Sequence, residues 1–173
     1  MTGVSGPATA RADSLKLRVL SALVLAPVAL ACLFAGVAPF AVLVALAAAL
    51  MAHEWHNLST PADAAVLTAL SAPVLVVALG AVWLGRPDVA AFVVALGLAA
   101  LGGRSWAHGQ PVLWPALGLV YLAVPAAALV WLRGAPDGAK IVLWILLVIW
   151  AVDIGAYAAG RGIGGPRLAP RIS

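Results

Sequence analysis

Apolar residues fill this chain in long runs, and short polar breaks separate them. Six runs are read: 19–36, 38–55, 64–84, 89–101, 112–132 and 141–159. Runs of near-membrane length that recur from end to end predict helices crossing a bilayer. The expected fold class is therefore all-α, a polytopic transmembrane helical bundle of about six spans. No internal repeat and no soluble domain is evident. The fourth run is short for a span, so its helix is expected to thin the bilayer or to extend into its flanks.

The polar breaks carry the punctuation. Residues 1–14 are small and polar and read as a flexible cytoplasmic tail. Lys16 and Arg18 then anchor the first span. A basic start before an apolar core also describes a signal peptide, but a second apolar run follows at once, so an uncleaved first helix is expected. Pro27, Pro115 and Pro125 mark expected bends, and the third run carries Pro73. His53-Glu54-Trp55-His56 closes the second run. It lacks the spacing of a zinc-peptidase motif and reads as a helix end at the membrane interface, with Trp55 in the aromatic belt and its polar neighbours in water. Residues 57–63 form a polar connection with a helix start near Pro61. Gly85-Arg86-Pro87-Asp88 is a turn, 102–111 a loop holding a solvated His108, and 133–139 a further loop. Residues 160–173 form a basic C-terminal loop.

Composition agrees with the membrane reading. The chain has 173 residues, 65% hydrophobic and 9% charged, with a net charge of +4. A soluble domain carries about a quarter charged residues. The basic residues stand at the ends of apolar runs and not in a patch with interleaved aromatics, so no nucleic-acid partner is expected. With six spans and a cytoplasmic N-terminus, Arg11, Lys16, Arg18, Arg104, Arg161, Arg167 and Arg171 fall inside, against Arg86, Arg133 and Lys140 outside. The lone Cys32 has no internal disulfide partner.

One stretch carries a site's character. Asp153 stands inside the sixth run, where a charge costs roughly 3 kcal/mol on insertion scales. Tyr157 follows four residues later and Gly160 three after that, which puts all three on one helical face. If the helix ends near Gly160, Asp153 lies about 10 Å inside that end, close to the headgroup boundary. Such a carboxylate suits a hard cation such as Mg²⁺. Arg161, Arg167 and Arg171 suit phosphate oxygens, and the glycines from Gly160 to Gly165 permit close backbone approach. Read as structure alone, the same stretch is a glycine-capped helix followed by a basic loop. An ion-coupled transporter with Asp153 as its cation site, or an assembly subunit pairing Asp153 with a partner's cation, are the competing functional classes.

The same residues resemble a known family. Leu15-Lys-Leu-Arg-Val-Leu-Ser-Ala-Leu-Val-Leu-Ala-Pro27 and Glu54-Trp55 carry part of the likeness. Asp153-Ile-Gly-Ala-Tyr157, Gly160-Arg161, Gly164 and Leu168-Ala-Pro-Arg-Ile-Ser173 carry the more specific part. The pattern is similar to that of the bacterial phosphatidate cytidylyltransferases, the CDP-diacylglycerol synthases. The resemblance implies CTP and phosphatidic acid as substrates, Mg²⁺ as cofactor, the lipid bilayer of the cell inner membrane as setting, and a cytoplasmic N-terminus. A homodimer is allowed. It implies that Asp153 is a catalytic metal ligand, that Tyr157 orients a ligand, and that Arg161, Arg167, Arg171 and Ser173 bind substrate. The family's longer acidic signature is absent, so the chain is expected to be an N-terminal fragment, inactive alone.

Overall fold

A computed structural model describes the backbone of residues 7–162 and the side chains of 21–160 and 162. Six helices follow in order: α1 (Pro7–Ala35), α2 (Val37–Ser59), α3 (Ala64–Trp83), α4 (Pro87–Ala107), α5 (Leu113–Gly134) and α6 (Gly138–Gly162). A single 3-10 turn, Pro61–Asp63, leads straight into α3. There is no strand among the described residues. Helices α2 to α6 are each long and apolar enough to cross a membrane, and the described apolar part of α1, Ser21–Ala35, is shorter. The chain is a multi-pass membrane protein.

Short connectors make successive helices antiparallel, so the α2–α3 and α4–α5 connections meet at one end of the bundle. The far end of α6 lies at that end too. Helices α2 to α5 form the packed body. On α2, Ala41, Ala45, Ala48 and Ala52 are all buried. Their spacing of four, three and four keeps them on one face, and side chains this small let backbones approach closely. They meet Leu67, Leu75, Leu79, Leu101, Leu119 and Val130 from the other three helices. A second cluster, Leu33, Phe40 and Val142, joins α1 and α6 to this body at the opposite end. Gly36 makes the α1–α2 turn with φ of 143°, a conformation that L side chains rarely adopt.

Several local expectations change. Helix α1 is described from Pro7, inside the stretch read as a flexible tail. Residues 102–107 are not loop: α4 continues to Ala107, extending the short fourth run at its C-terminal flank. Pro27, Pro73 and Pro125 sit within unbroken helices, and Pro115 falls in the first turn of α5, where a missing N–H costs no intrahelical bond. His56 is not in water but 1% exposed. The reason is the pitch of α2: His56 lies four residues past buried Ala52, on the alanine face, while His53 and Glu54 point outward.

The end opposite the α2–α3 connection is tied by Arg133, whose Nε donates to the Leu33 carbonyl at 2.7 Å. That oxygen is among the last carbonyls of α1, which have no intrahelical donor, and a cation there also suits the helix dipole. Arg86 grips Asp88 and Lys140 grips Asp137 at the same end.

Candidate functional site

Asp153 lies on the second half of α6, which leaves the body of the bundle. The first half packs through Val142. From residue 151 to 160 every side chain is exposed, so the small residues Gly155, Ala156, Ala158 and Ala159 pack no described helix around Asp153. Asp153 lines a groove of about 570 Å³ between α6 and α1, whose walls are Ala22, Leu25, Ala26 and Ala29 on one side and Leu146, Trp150 and Ile154 on the other. It is the one carboxylate on those walls. Tyr157 stands one turn further along and is 58% exposed. The helix runs to Gly162, nine residues past Asp153, which puts the carboxylate about 14 Å from the helix end. Arg161 falls within α6, eight residues beyond Asp153. Its side chain, and Arg167, Arg171 and Ser173 altogether, lie outside the described residues.

Among the described residues no group of three or more His, Cys, Asp or Glu side chains could hold a metal ion. Asp153 fits the part of a single oxygen ligand. Mg²⁺ is commonly held by one or two carboxylates together with substrate phosphates and water, so one ligand of the right chemistry is present on this face. His53 and His56 do not converge as ligands: His53 bonds Asn57 at 3.0 Å, and His56 Nε2 meets Ser71 Oγ at 3.1 Å. His108 is exposed and bonds the Arg104 carbonyl through Nδ1 at 3.0 Å.

Two arrangements at the same end of the bundle were not read from the sequence. Arg104 of α4 donates to both oxygens of Asp63, through Nε and through a terminal nitrogen, each at 2.8 Å. Asp63 is 8% exposed and Arg104 31%. The signal was available: an acid at the start of α3 and a base near the end of antiparallel α4 must lie at one level. Beside them His56 and Ser71 join α2 to α3, and Ser105 Oγ and His56 Nδ1 are buried without a protein partner. The second arrangement is aromatic. Trp55 donates its indole N–H to the Trp114 carbonyl at 2.9 Å and stacks on Tyr121 with centroids 5.8 Å apart. Its ring lies on Gly118 so closely that a Cβ there would overlap the indole.

The fold and this site define a polytopic helical membrane protein with a carboxylate on a lateral groove. Residues 16–173 match the model of the cytidylyltransferase family, and the chain belongs to that family. It is 34% identical to a phosphatidate cytidylyltransferase of Brucella suis over 164 residues, covering 93% of this chain and 60% of that protein. It is 31% identical to a phosphatidate cytidylyltransferase of Pseudomonas aeruginosa over 179 residues, covering 92% of this chain and 62% of that protein. The chain thus spans about three-fifths of the length of these relatives. No solved structure matches it.

Proposed function

We propose that this chain belongs to a phosphatidate cytidylyltransferase, which transfers CMP from CTP to phosphatidic acid and releases CDP-diacylglycerol and pyrophosphate. The observation that carries the reading is the family match over residues 16–173. A phosphate oxygen of phosphatidate attacks the α-phosphorus of CTP. The bond from that phosphorus to the bridging oxygen breaks, and pyrophosphate leaves with the electron pair.

Both substrates are anionic, so the chain's contribution is to hold phosphates together at the membrane boundary. Arg161, Arg167, Arg171 and Ser173 are proposed to bind phosphate oxygens; bidentate geometry is open to each guanidinium. Asp153 is proposed to give one oxygen to Mg²⁺, which neutralises charge on the transferring group when bound. Tyr157 is proposed to orient a ligand one turn from Asp153. The N-terminus is assigned to the cytoplasm and the protein to the cell inner membrane, which places these residues where CTP is found. The same reading allows a homodimer.

The test is incorporation of label from CTP into lipid by membranes containing the full-length protein and phosphatidate. Labelled CDP-diacylglycerol is the expected product. Lipid without label, from protein that is folded and inserted, overturns the reading.

A further inference from the structure

The end of the bundle where the α2–α3 and α4–α5 connections meet has an interior unlike the rest. Among the described residues, six buried side-chain atoms have no hydrogen-bond partner: His56 Nδ1, Ser59 Oγ, Thr60 Oγ1, Thr68 Oγ1, Ser105 Oγ and Gln110 Oε1. All six belong to this end. The cluster of Leu33, Phe40 and Val142 at the opposite end is wholly apolar. Short contacts run through the polar group. Ser71, one turn from Thr68, meets His56 Nε2 at 3.1 Å. The Thr60 N–H donates to the His56 carbonyl at 2.8 Å, and the Asp63 N–H to the Thr60 carbonyl at 3.1 Å. Arg104, which holds Asp63, is the chain neighbour of Ser105, and the Gln110 N–H donates to the Ser105 carbonyl at 2.8 Å. Helix pitch explains the burial. His56 follows buried Ala52 by four residues, and Ser105 follows buried Leu101 by four, so each continues an inward face that is apolar further down. They are 1% and 0% exposed.

We propose that this end of the bundle is a hydration site, with bound water molecules between α2, α3 and α4 and one of them at His56 Nδ1. A buried polar group without a partner loses its hydration and gains nothing in return, so a ligand that restores the bonds is strongly favoured. The chemistry selects water over an ion. Both Asp63 oxygens are engaged by Arg104, so the pair leaves no net charge to hold an ion. Hydroxyls both donate and accept, while Nδ1 does one or the other according to tautomer, and water matches them all. Ser71 closes the Nε2 side of the ring, so the water meets His56 on its other side. Thr60 and Gln110 stand at the two connections, where the site reaches the membrane boundary and its water exchanges. The inference needs no substrate and stands apart from the cytidylyltransferase reading.

X-ray radiolysis turns a bound water into a hydroxyl radical that oxidises the side chain beside it. The full-length protein in lipid nanodiscs is pulsed, and oxidation is read residue by residue with tandem mass spectrometry, scaled to the intrinsic reactivity of each side chain. His53, exposed on the same helix, reports bulk water. Phe40, also on α2 but 4% exposed in the apolar cluster, reports dry interior. His56 is expected to be oxidised within about threefold of His53, and Phe40 at least about tenfold less, because polar buried sites hold water and apolar ones stay dry. Mixing with water enriched in heavy oxygen for graded times before the pulse then dates the exchange. Heavy oxygen is expected to arrive at His56 later than at His53.

Oxidation of His56 as low as that of Phe40 overturns the proposal, because the site is then dry. Oxidation of Phe40 as high as that of His56 overturns it as well, since hydration is then not confined to the polar end. Heavy oxygen reaching His56 as fast as His53 also overturns it: the ring then meets bulk solvent and not a bound water.

Discussion

Arg104 clamps Asp63 with two hydrogen bonds of 2.8 Å across 41 residues of sequence. The pair fixes the α2–α3 connection against the last turns of α4, at the end of the bundle that the candidate site shares. Asp63 is nearly inaccessible, so deleting Arg104 leaves a buried carboxylate unpaired, and that loss exceeds the gain from forming the pair. The Arg86–Asp88 pair has the same bidentate geometry, but its side chains are 61% and 65% exposed. Exposed pairs contribute little. Arg104→Ala is therefore expected to lower the thermal midpoint in detergent clearly, and Arg86→Ala to leave it almost unchanged. Equal midpoints for the two variants would remove the clamp from the account.

Among the described glycines, Gly118 leaves the least room to a neighbouring side chain, the Trp55 indole. Gly118→Ala pushes a methyl group into the indole, and overpacking of this kind costs about 1–3 kcal/mol. Shortening the ring should relieve it: Gly118→Ala with Trp55→Leu is expected to be more stable than the sum of the single changes requires. The double variant still lacks the indole bond to the Trp114 carbonyl, so recovery is partial. Denaturation midpoints of the four proteins form the cycle, and strict additivity contradicts the contact.

The number of helices was legible because apolar run length alone decides which segments cross a bilayer. Helix limits were not. Gly102 and Gly103 read as loop, yet α4 continues through them, because Ser105 has a buried position to reach on the face that holds Leu101 and Arg104 a half-buried one against Asp63. His56 read as a water-facing residue because the neighbouring His53, Glu54 and Asn57 are polar; only its register with the buried alanines places it inside. The Asp63–Arg104 pair depends on two residues of different helices meeting, which no local pattern records. Asp153 was conspicuous as a charge within a span. Its groove was not, since the α1 wall is built from Leu25 and alanines that are indistinguishable in sequence from the apolar residues of the packed body.

Ser71 is the one side-chain partner described for His56, and both are about 1% exposed. Ser71→Ala leaves His56 Nε2 without its partner in a site closed to water. Such a loss typically costs about 1–3 kcal/mol. Ser71→Thr keeps the hydroxyl and is expected to retain more of the stability, at the expense of one added methyl group. Comparing the two midpoints separates the hydrogen bond from simple loss of volume: if alanine is the better tolerated of the two, packing and not the bond sets the cost.

Asp153 provides the sharpest separation between a catalytic and a structural carboxylate. It is exposed on a helix half that packs against little, so Asp153→Asn is expected to leave folding intact: no packed neighbour loses contact, and a charge leaves an apolar wall. If the carboxylate serves the transfer step, the full-length variant loses CTP incorporation by about a hundredfold or more, in line with removal of one electrostatic group from a transition state. Asp137→Asn is the matched control. Its carboxylate holds a cation, the Lys140 ammonium at 2.7 Å, at the opposite end of α6. That variant is expected to turn over normally. A structural role for Asp153 predicts the reverse pattern, with a lowered midpoint and nearly unchanged turnover per folded molecule. Measuring both quantities on each variant decides between them, because the two roles move opposite readouts.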